Sequence, residues 1–247
     1  MGILKKGQFI INGVQSTELK AVIQNRPIIS APRRKGDAFV MPSQSGTVYV
    51  DDDTYENTPL DLNIALYGKD FDEADYNRER LVQLFNVSEY VPFRYYVSPN
   101  KLHLVRLENV MFESSRGMRY HQVGHAELSV YPFKYTHNGH VEELTVSGTT
   151  LRNPNAQPSE PIIKIEGSGD VTLTVNGTNY PIRNINGHIF LHTPVEHAYR
   201  ESGNVKIDED HKINTLDYPT FKPGDNVITW TGNVDKIIIE PRWQTLV

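Results

Sequence analysis

The histidines and carboxylates are where this sequence could hold chemistry. His121 and His125 stand four apart, the spacing of a helical zinc-protease pair, but Gly124 precedes the second and no glutamate lies between them. His137 and His140 flank Asn138-Gly139, and His188 and His192 flank a short alternating run, so both pairs read as polar surface beside a hairpin. Asp51-Asp52-Asp53 could ligate calcium, yet it lacks the alternating donors, central glycine and late glutamate of a calcium loop. It reads as a solvated acidic turn. Gly167-Ser168-Gly169-Asp170 offers a phosphate-loop glycine pair, but no helical pattern follows it, and a tight turn between strands accounts for both glycines. The chain has no cysteine, which excludes disulfides, thiolate catalysis and cysteine-ligated zinc. The serines and carboxylates form no recognisable hydrolytic pairing; a glycoside hydrolase stays open only because its two carboxylates can be distant in sequence. No catalytic, metal or cofactor-binding residue is assigned, and no cofactor is expected. Tyr180, Tyr199, Tyr218, Trp230 and Trp243 could supply an aromatic platform for a sugar, although Trp230, between Val227 and Val234, suits a core or its edge.

These residues need elements to position them. With 247 residues and a formal charge of -5, the chain has room for one or two domains and makes no general case for nucleic acid. It has no apolar run long enough to span a membrane, and Met1–Ile11 lacks the apolar core of a signal peptide. Short alternating runs cut by glycine or Asn-Gly recur from Pro161 to Trp243. Val171, Leu173 and Val175 alternate with threonines, and turns are expected at Asn176-Gly177, Asn186-Gly187 and Gly232-Asn233. Pro223-Gly224 is a further turn signal, and Pro241 should end sheet pairing. This region reads as a small all-β sandwich.

Upstream, Phe9, Ile10 and Ile11 precede an Asn12-Gly13 turn, and strands are expected at Ala21–Ile23, Pro27–Ile29, Thr47–Val50 and Asp61–Tyr67. The segment Ser30–Gly46 reads as an exposed loop or long hairpin. One helix is expected near 72–86, capped by Asp70 or Asp72, with Ala74, Tyr76 or Arg78, Leu81, Leu84 and Phe85 along its apolar stripe. Further strands are expected at Val91–Val97, at Lys101–Phe112 with a break near Arg106, at Ala126–Tyr131 and at Val141–Val146. Ser114–Gly124 reads as a loop and the polar, proline-containing Ser147–Ser159 as a junction. The expected domains are therefore 1–150, β-rich with one helix, and 151–247, the sandwich. Charge is uneven in the first. Arg33, Arg34 and Lys35 belong to a basic stretch, and Asp51, Asp52 and Asp53 open an acidic one. Such patches either meet within one subunit or form complementary head-to-tail surfaces that close a ring.

The string Tyr218-Pro219, Lys222-Pro223-Gly224-Asp225-Asn226, Ile228, Trp230-Thr231-Gly232 and Pro241-Arg242-Trp243 resembles the outer domain of the phage distal tail protein family. The first half is similar to it through the Arg33-Arg34-Lys35-Gly36 loop, a strand ending at Gly68 and the single helix. The resemblance implies a mainly β chain with an N-terminal ring-forming domain and a galectin-like C-terminal sandwich. It implies a structural protein at the distal end of a long non-contractile phage tail, made in the bacterial cytoplasm and not an enzyme. Six copies would form a ring, single or paired back to back. That ring would join the tail tube to the tail-tip hub protein and support peripheral baseplate or receptor-binding proteins, with no sequence-specific nucleic acid and no membrane. Arg33, Arg34, Lys35, Asp51, Asp52 and Asp53 are then candidate ring contacts. The alternative is a carbohydrate-binding adhesion module acting through the sandwich.

Overall fold

The computed structural model describes residues 4–42, 45–114, 120–136 and 141–247. Two compact units result, residues 1–137 with 246–247, and residues 138–245. No described helix is long and apolar enough to cross a membrane.

The first unit contains β1 (Phe9–Ile11), β2 (Val14–Gln15), β3 (Ala21–Ile23), β4 (Arg34–Val40), β5 (Thr47–Tyr55), β6 (Thr58–Tyr67), α1 (Phe71–Phe85), β7 (Val91–Tyr95), β8 (Lys101–Ser114) and β9 (His121–Thr136). Its large sheet is antiparallel and runs β2-β1-β7-β8-β9-β6-β3. Strict alternation sets the faces: Leu60, Leu62, Ile64 and Leu66 of β6 are buried with Ala126, Leu128 and Val130 of β9, while Asp61 and Glu127 face outward. Helix α1 lies on the inner face through Ala74, Asn77, Leu81 and Phe85. Burying Leu81 and Phe85 contributes roughly 2–3 kcal/mol each. Asp70 caps the helix, its Oδ1 accepting from the Glu73 amide at 2.8 Å. The stripe differs from expectation at one turn. Asn77 is buried there, its Nδ2 donating to the Tyr67 carbonyl at 3.3 Å, and Tyr76 is exposed. Register shifts between His103 and Val105 and between Leu107 and Asn109 bracket Arg106, where a break was expected.

Three expectations for this unit are corrected. Residues 27–29 are irregular, since Pro27 supplies no amide for a ladder. His121–Gly124 extend β9 because Tyr67, Leu66, Ala65 and Ile64 offer them partners. Asp51, Asp52 and Asp53 lie within β5, where Gly36 stands opposite Asp51. Residues 115–119 and the turn expected at His137–His140 lie outside the described residues. Strands β4 and β5 form a two-stranded sheet of their own, with no third strand beside them among the described residues.

The second unit contains β10 (Glu142–Leu144), β11 (Thr149–Asn153), β12 (Ile162–Val175), β13 (Thr178–His192), β14 (His197–Ser202), β15 (Val205–Asp208) and β16 (Gly224–Glu240). Their order is β10-β16-β12-β13-β14-β15, with β11 also on β16. Asn176 and Gly177 turn the chain with φ of 52° and 88°, as expected. The turns expected at Gly167–Asp170, Asn186-Gly187 and Gly232-Asn233 are not turns. Each lies inside a long strand, and they are neighbours: Gly167 pairs with Gly187, and Ser168 with Asn186 and Asn233. Register shifts at Glu166/Gly167 and between Ser168 and Thr172 bend the strands at this level. Each long strand therefore serves both halves of a sandwich. Ile163, Ile165, Ile189 and Ile239 from one half meet Val171, Leu173, Ile182 and Ile228 from the other in one core. The polar segment read as a junction contains β11, whose Leu151 is buried and pairs with Asn226.

Candidate functional site

The candidate ring residues sit on the β4–β5 hairpin. Arg34 is committed within the chain: its Nη1 contacts Asp51 and lies 3.4 Å from Asp53, and its guanidinium stands 5.2 Å from the Tyr55 ring centroid. Tyr49 donates its hydroxyl to the Arg34 carbonyl at 2.9 Å. The Arg34 hydrogen bond, reinforced by the Asp53 amide, holds the Asp51 carboxyl below its usual range. Asp52 accepts from the amide and hydroxyl of Thr54 at 3.2 and 2.9 Å. Arg33 and Lys35 are exposed and have no ion pair among the described residues. The triple aspartate thus braces a hairpin rather than presenting an open cage of oxygens.

Within the motif of the second unit, Lys222–Gly224 close around Asn226, which is fully buried. Its Oδ1 accepts from the Lys222 amide at 2.9 Å and from Asn176 Nδ2 at 2.8 Å. Its Nδ2 faces the carbonyls of Lys222, Gly224 and Leu151 at 2.9, 3.0 and 3.4 Å. Pro223 and Gly224, the latter at φ 82°, carry the chain round this side chain into β16. Trp230 exchanges both backbone groups with the Ser147 hydroxyl. Gly232, at φ 102°, lies so close to β12 that a Cβ there would come 2.4 Å from the Asp170 carbonyl. Pro219 accepts from Thr193 Oγ1 at 3.0 Å, and Trp243 packs against Phe221 with ring centroids 5.7 Å apart. Pro241 follows the last residue of β16, and Arg242 takes φ 52°. The motif is a framework for the sandwich.

The aromatic residues available for a sugar platform are packed. Tyr180 and Tyr199 are buried, and Tyr199 is stacked between Phe190, at 4.9 Å and 7°, and Lys206, whose Nζ is 4.4 Å from the ring. Trp230, Tyr218 and Trp243 are half-buried against the core. The histidine pairs are likewise occupied or separated. His121 stacks on Tyr67 and His125 Nδ1 meets Asn63 Oδ1 at 2.6 Å, with the two residues about 13 Å apart along β9 by strand rise. His188 Nε2 accepts from the Glu201 amide at 3.3 Å.

One cluster of ligand-type groups was not read from the sequence, because three neighbouring segments supply it. His197, Asp208 and Asp210 place ligand atoms within 4.8 Å of one another. Their hydrogen bonds are already directed inward. Asp210 accepts from His197 Nδ1 at 2.9 Å, from the Tyr218 hydroxyl at 3.1 Å and from the Ala198 amide, while Asp208 accepts from the Asp210 amide at 2.9 Å. Burial raises the Asp210 pKa, but these donors outweigh it and the carboxyl lies below its usual value. Burial and then Asp210 raise the Tyr218 phenol. Beneath α1, Ile64, Leu81, Phe85, Val110 and Phe112 line an apolar gap of about 10 Å³, room for a single water and no ligand.

No family profile matches the chain, and no curated protein matches it by sequence. Solved structures do. The Dit (gp 19.1) protein of phage SPP1, described as a paradigm of the hub adsorption apparatus in phages infecting Gram-positive bacteria, superposes with a TM-score of 0.69 at 14% identity, covering 97% of this chain and 99% of that one. Chains of the phage P2 baseplate in its activated conformation, with calcium and with strontium, give a TM-score of 0.61 at 9% identity over 94% of this chain and 97% of theirs. Along nearly its whole length, the chain has the fold of the phage Dit hub proteins.

Proposed function

We propose that this chain is a structural ring subunit of a long non-contractile phage tail. Six copies close into a ring that joins the tail tube to the tail-tip hub, and the C-terminal sandwich supports peripheral baseplate proteins. The observation that carries this reading is the match in fold over both units, which also spans nearly all of SPP1 Dit. The packing of the sandwich supports it over the sugar-binding alternative, since the aromatic side chains are spent on the core and on Lys206. Absolute mass by light scattering tests it across protein and salt concentrations. A ring of 28.1 kDa chains is expected at about 169 kDa, or twice that for paired rings. A monomer at every concentration would remove self-assembly and return the sandwich to a sugar-binding screen.

A further inference from the structure

His197, Asp208 and Asp210 come from three successive pieces of the second unit. His197 opens β14, Asp208 ends β15, and Asp210 begins the 3-10 turn Asp210–Lys212. Strand β15 is the last of its sheet, and all four of its residues are exposed. The two carboxylates are divided in the same way. Asp210 Oδ1 accepts from the Tyr218 hydroxyl and the Ala198 amide, and Asp208 Oδ1 accepts from the Asp210 amide. Asp210 Oδ2 is turned to His197 Nδ1, 2.9 Å away, and Asp208 Oδ2 makes no hydrogen bond among the described residues. Each carboxylate is thus oriented through one oxygen and keeps the other for the cluster, as supporting hydrogen bonds aim the ligands of a metal site.

The neighbouring cations are engaged elsewhere. Arg200 and Lys212 hold Glu209 at 3.2 and 2.7 Å, and Lys206 Nζ lies over the Tyr199 ring. Asp208 and Asp210 are left to repel one another, with His197 the ion-pair partner of Asp210 alone. One ligand atom from each of the three lies within 4.8 Å of the others. Around zinc, with bonds of about 2.0–2.2 Å and near-tetrahedral angles, ligand atoms stand roughly 3.3–3.6 Å apart. His197 and Asp210 need to part by about 0.5 Å, and Asp208, on an exposed strand end, to close by at most about 1.5 Å. A further imidazole lies beside the cluster unused: His192 stands directly opposite His197, and its Nδ1 is buried without a hydrogen bond to another residue. Imidazole with carboxylates and no thiolate is a donor set for zinc or a neighbouring first-row divalent ion, whereas calcium and magnesium favour oxygen alone.

We infer that His197, Asp208 and Asp210 bind a divalent ion of the zinc class through His197 Nδ1 and one oxygen of each carboxylate, with the remaining positions open to water. The His197 hydrogen moves from Nδ1 to Nε2, so the ligand is the neutral imidazole. The bound ion fastens the edge strand β15 to β14 and to the turn that follows. The site lies within one chain, so its test does not depend on ring assembly. Full-length protein, stripped with EDTA and dialysed, is titrated with zinc chloride, and bound metal is counted by equilibrium dialysis. One zinc per chain is expected at micromolar free zinc, unmoved by a hundredfold excess of calcium, with a melting temperature several degrees higher at saturation. Asp208→Asn keeps the acceptor for the Asp210 amide and should weaken binding at least tenfold, as should His197→Gln. Tyr218→Phe, which releases Asp210 Oδ1, should weaken it about tenfold. His211→Gln, at an exposed neighbour, should leave it unchanged. Asp208→Asn decides alone if His197→Gln fails to fold, because Asp208 is exposed and belongs to no core. Zinc uptake undiminished in Asp208→Asn, or lost equally in His211→Gln, puts the metal on surface histidines and overturns the proposal. So does displacement by calcium, or a wild type that takes up no zinc.

Discussion

Asn226 links three segments through one amide. Removing it deprives the buried Leu151 carbonyl, and the half-buried Lys222 amide and carbonyl and Asn176 Nδ2, of this partner. Each orphaned group costs about 1–3 kcal/mol, and partial relaxation leaves an expected total near 3 kcal/mol for Asn226→Ala, read from urea unfolding. Asn226→Asp should be no milder, since it sets a carboxylate against the three carbonyls its amide now serves. Its type and its place after Pro223-Gly224 were legible, but its burial was not, because an asparagine beside a turn signal reads as surface. His103 escaped notice for a similar reason, lying within a strand of mixed alternation. Burial, with Lys134 and Lys101 nearby, lowers its pKa to about 4, and its Nε2 lies 3.0 Å from Ser98 Oγ. The folded state holds it neutral, so between pH 6.5 and 4 the unfolded chain binds the extra proton. Stability is complete above that window and falls through it by up to about 3 kcal/mol. His103→Gln should flatten this part of the stability–pH curve; an unchanged slope would assign it to other groups.

At the scale of elements, the glycines show where sequence reading succeeds and where it fails. Asn176-Gly177 and the interior sites at Gly167, Gly187 and Gly232 carry the same local signal, a small residue tolerant of positive φ. Only the first reverses the chain. The others align across β12, β13 and β16 as one crease, and alignment depends on register between residues some 20 to 65 positions apart, which no local window contains. The two kinds respond differently to a methyl group. Gly177→Ala meets no atom within 4 Å and should cost only the left-handed penalty of about 1 kcal/mol. Gly232→Ala combines that penalty with a 2.4 Å approach to the Asp170 carbonyl and should cost roughly 3 kcal/mol, compared by chemical denaturation. Equal losses would refute the crease. The helix, by contrast, was legible almost to the residue, because its cap and its stripe are both local. The strand expected at Thr47–Val50 runs on through Asp51–Asp53, which was not read because three acids oppose strand propensity; Asp51 stands opposite Gly36, and Asp53, at φ 59°, falls where the register with β4 shifts.

At the scale of the whole molecule, alternation and composition were enough for a mainly β chain, while strand order was not. β1 pairs with β7 across some 80 residues, and β3 joins β6 past the entire hairpin. Such pairings are chosen by burial of the complete core, in which Phe9, Phe93, Leu62 and Leu128 meet. The candidate assembly site was half legible for the same reason. The basic and acidic runs could be seen, but whether Arg34 would meet its own aspartates depended on hairpin register. One pairing carries a temporal consequence. Val247 packs on the core of the first unit and donates its amide to the Pro132 carbonyl at 3.0 Å, so that unit draws on residues synthesised after all of 138–245. The second unit can fold as it emerges from the ribosome. The first must hold its sheet without this contact while the whole of the second is translated, so a nascent chain gains its full set of sheet partners only after residues 138–245 have been made.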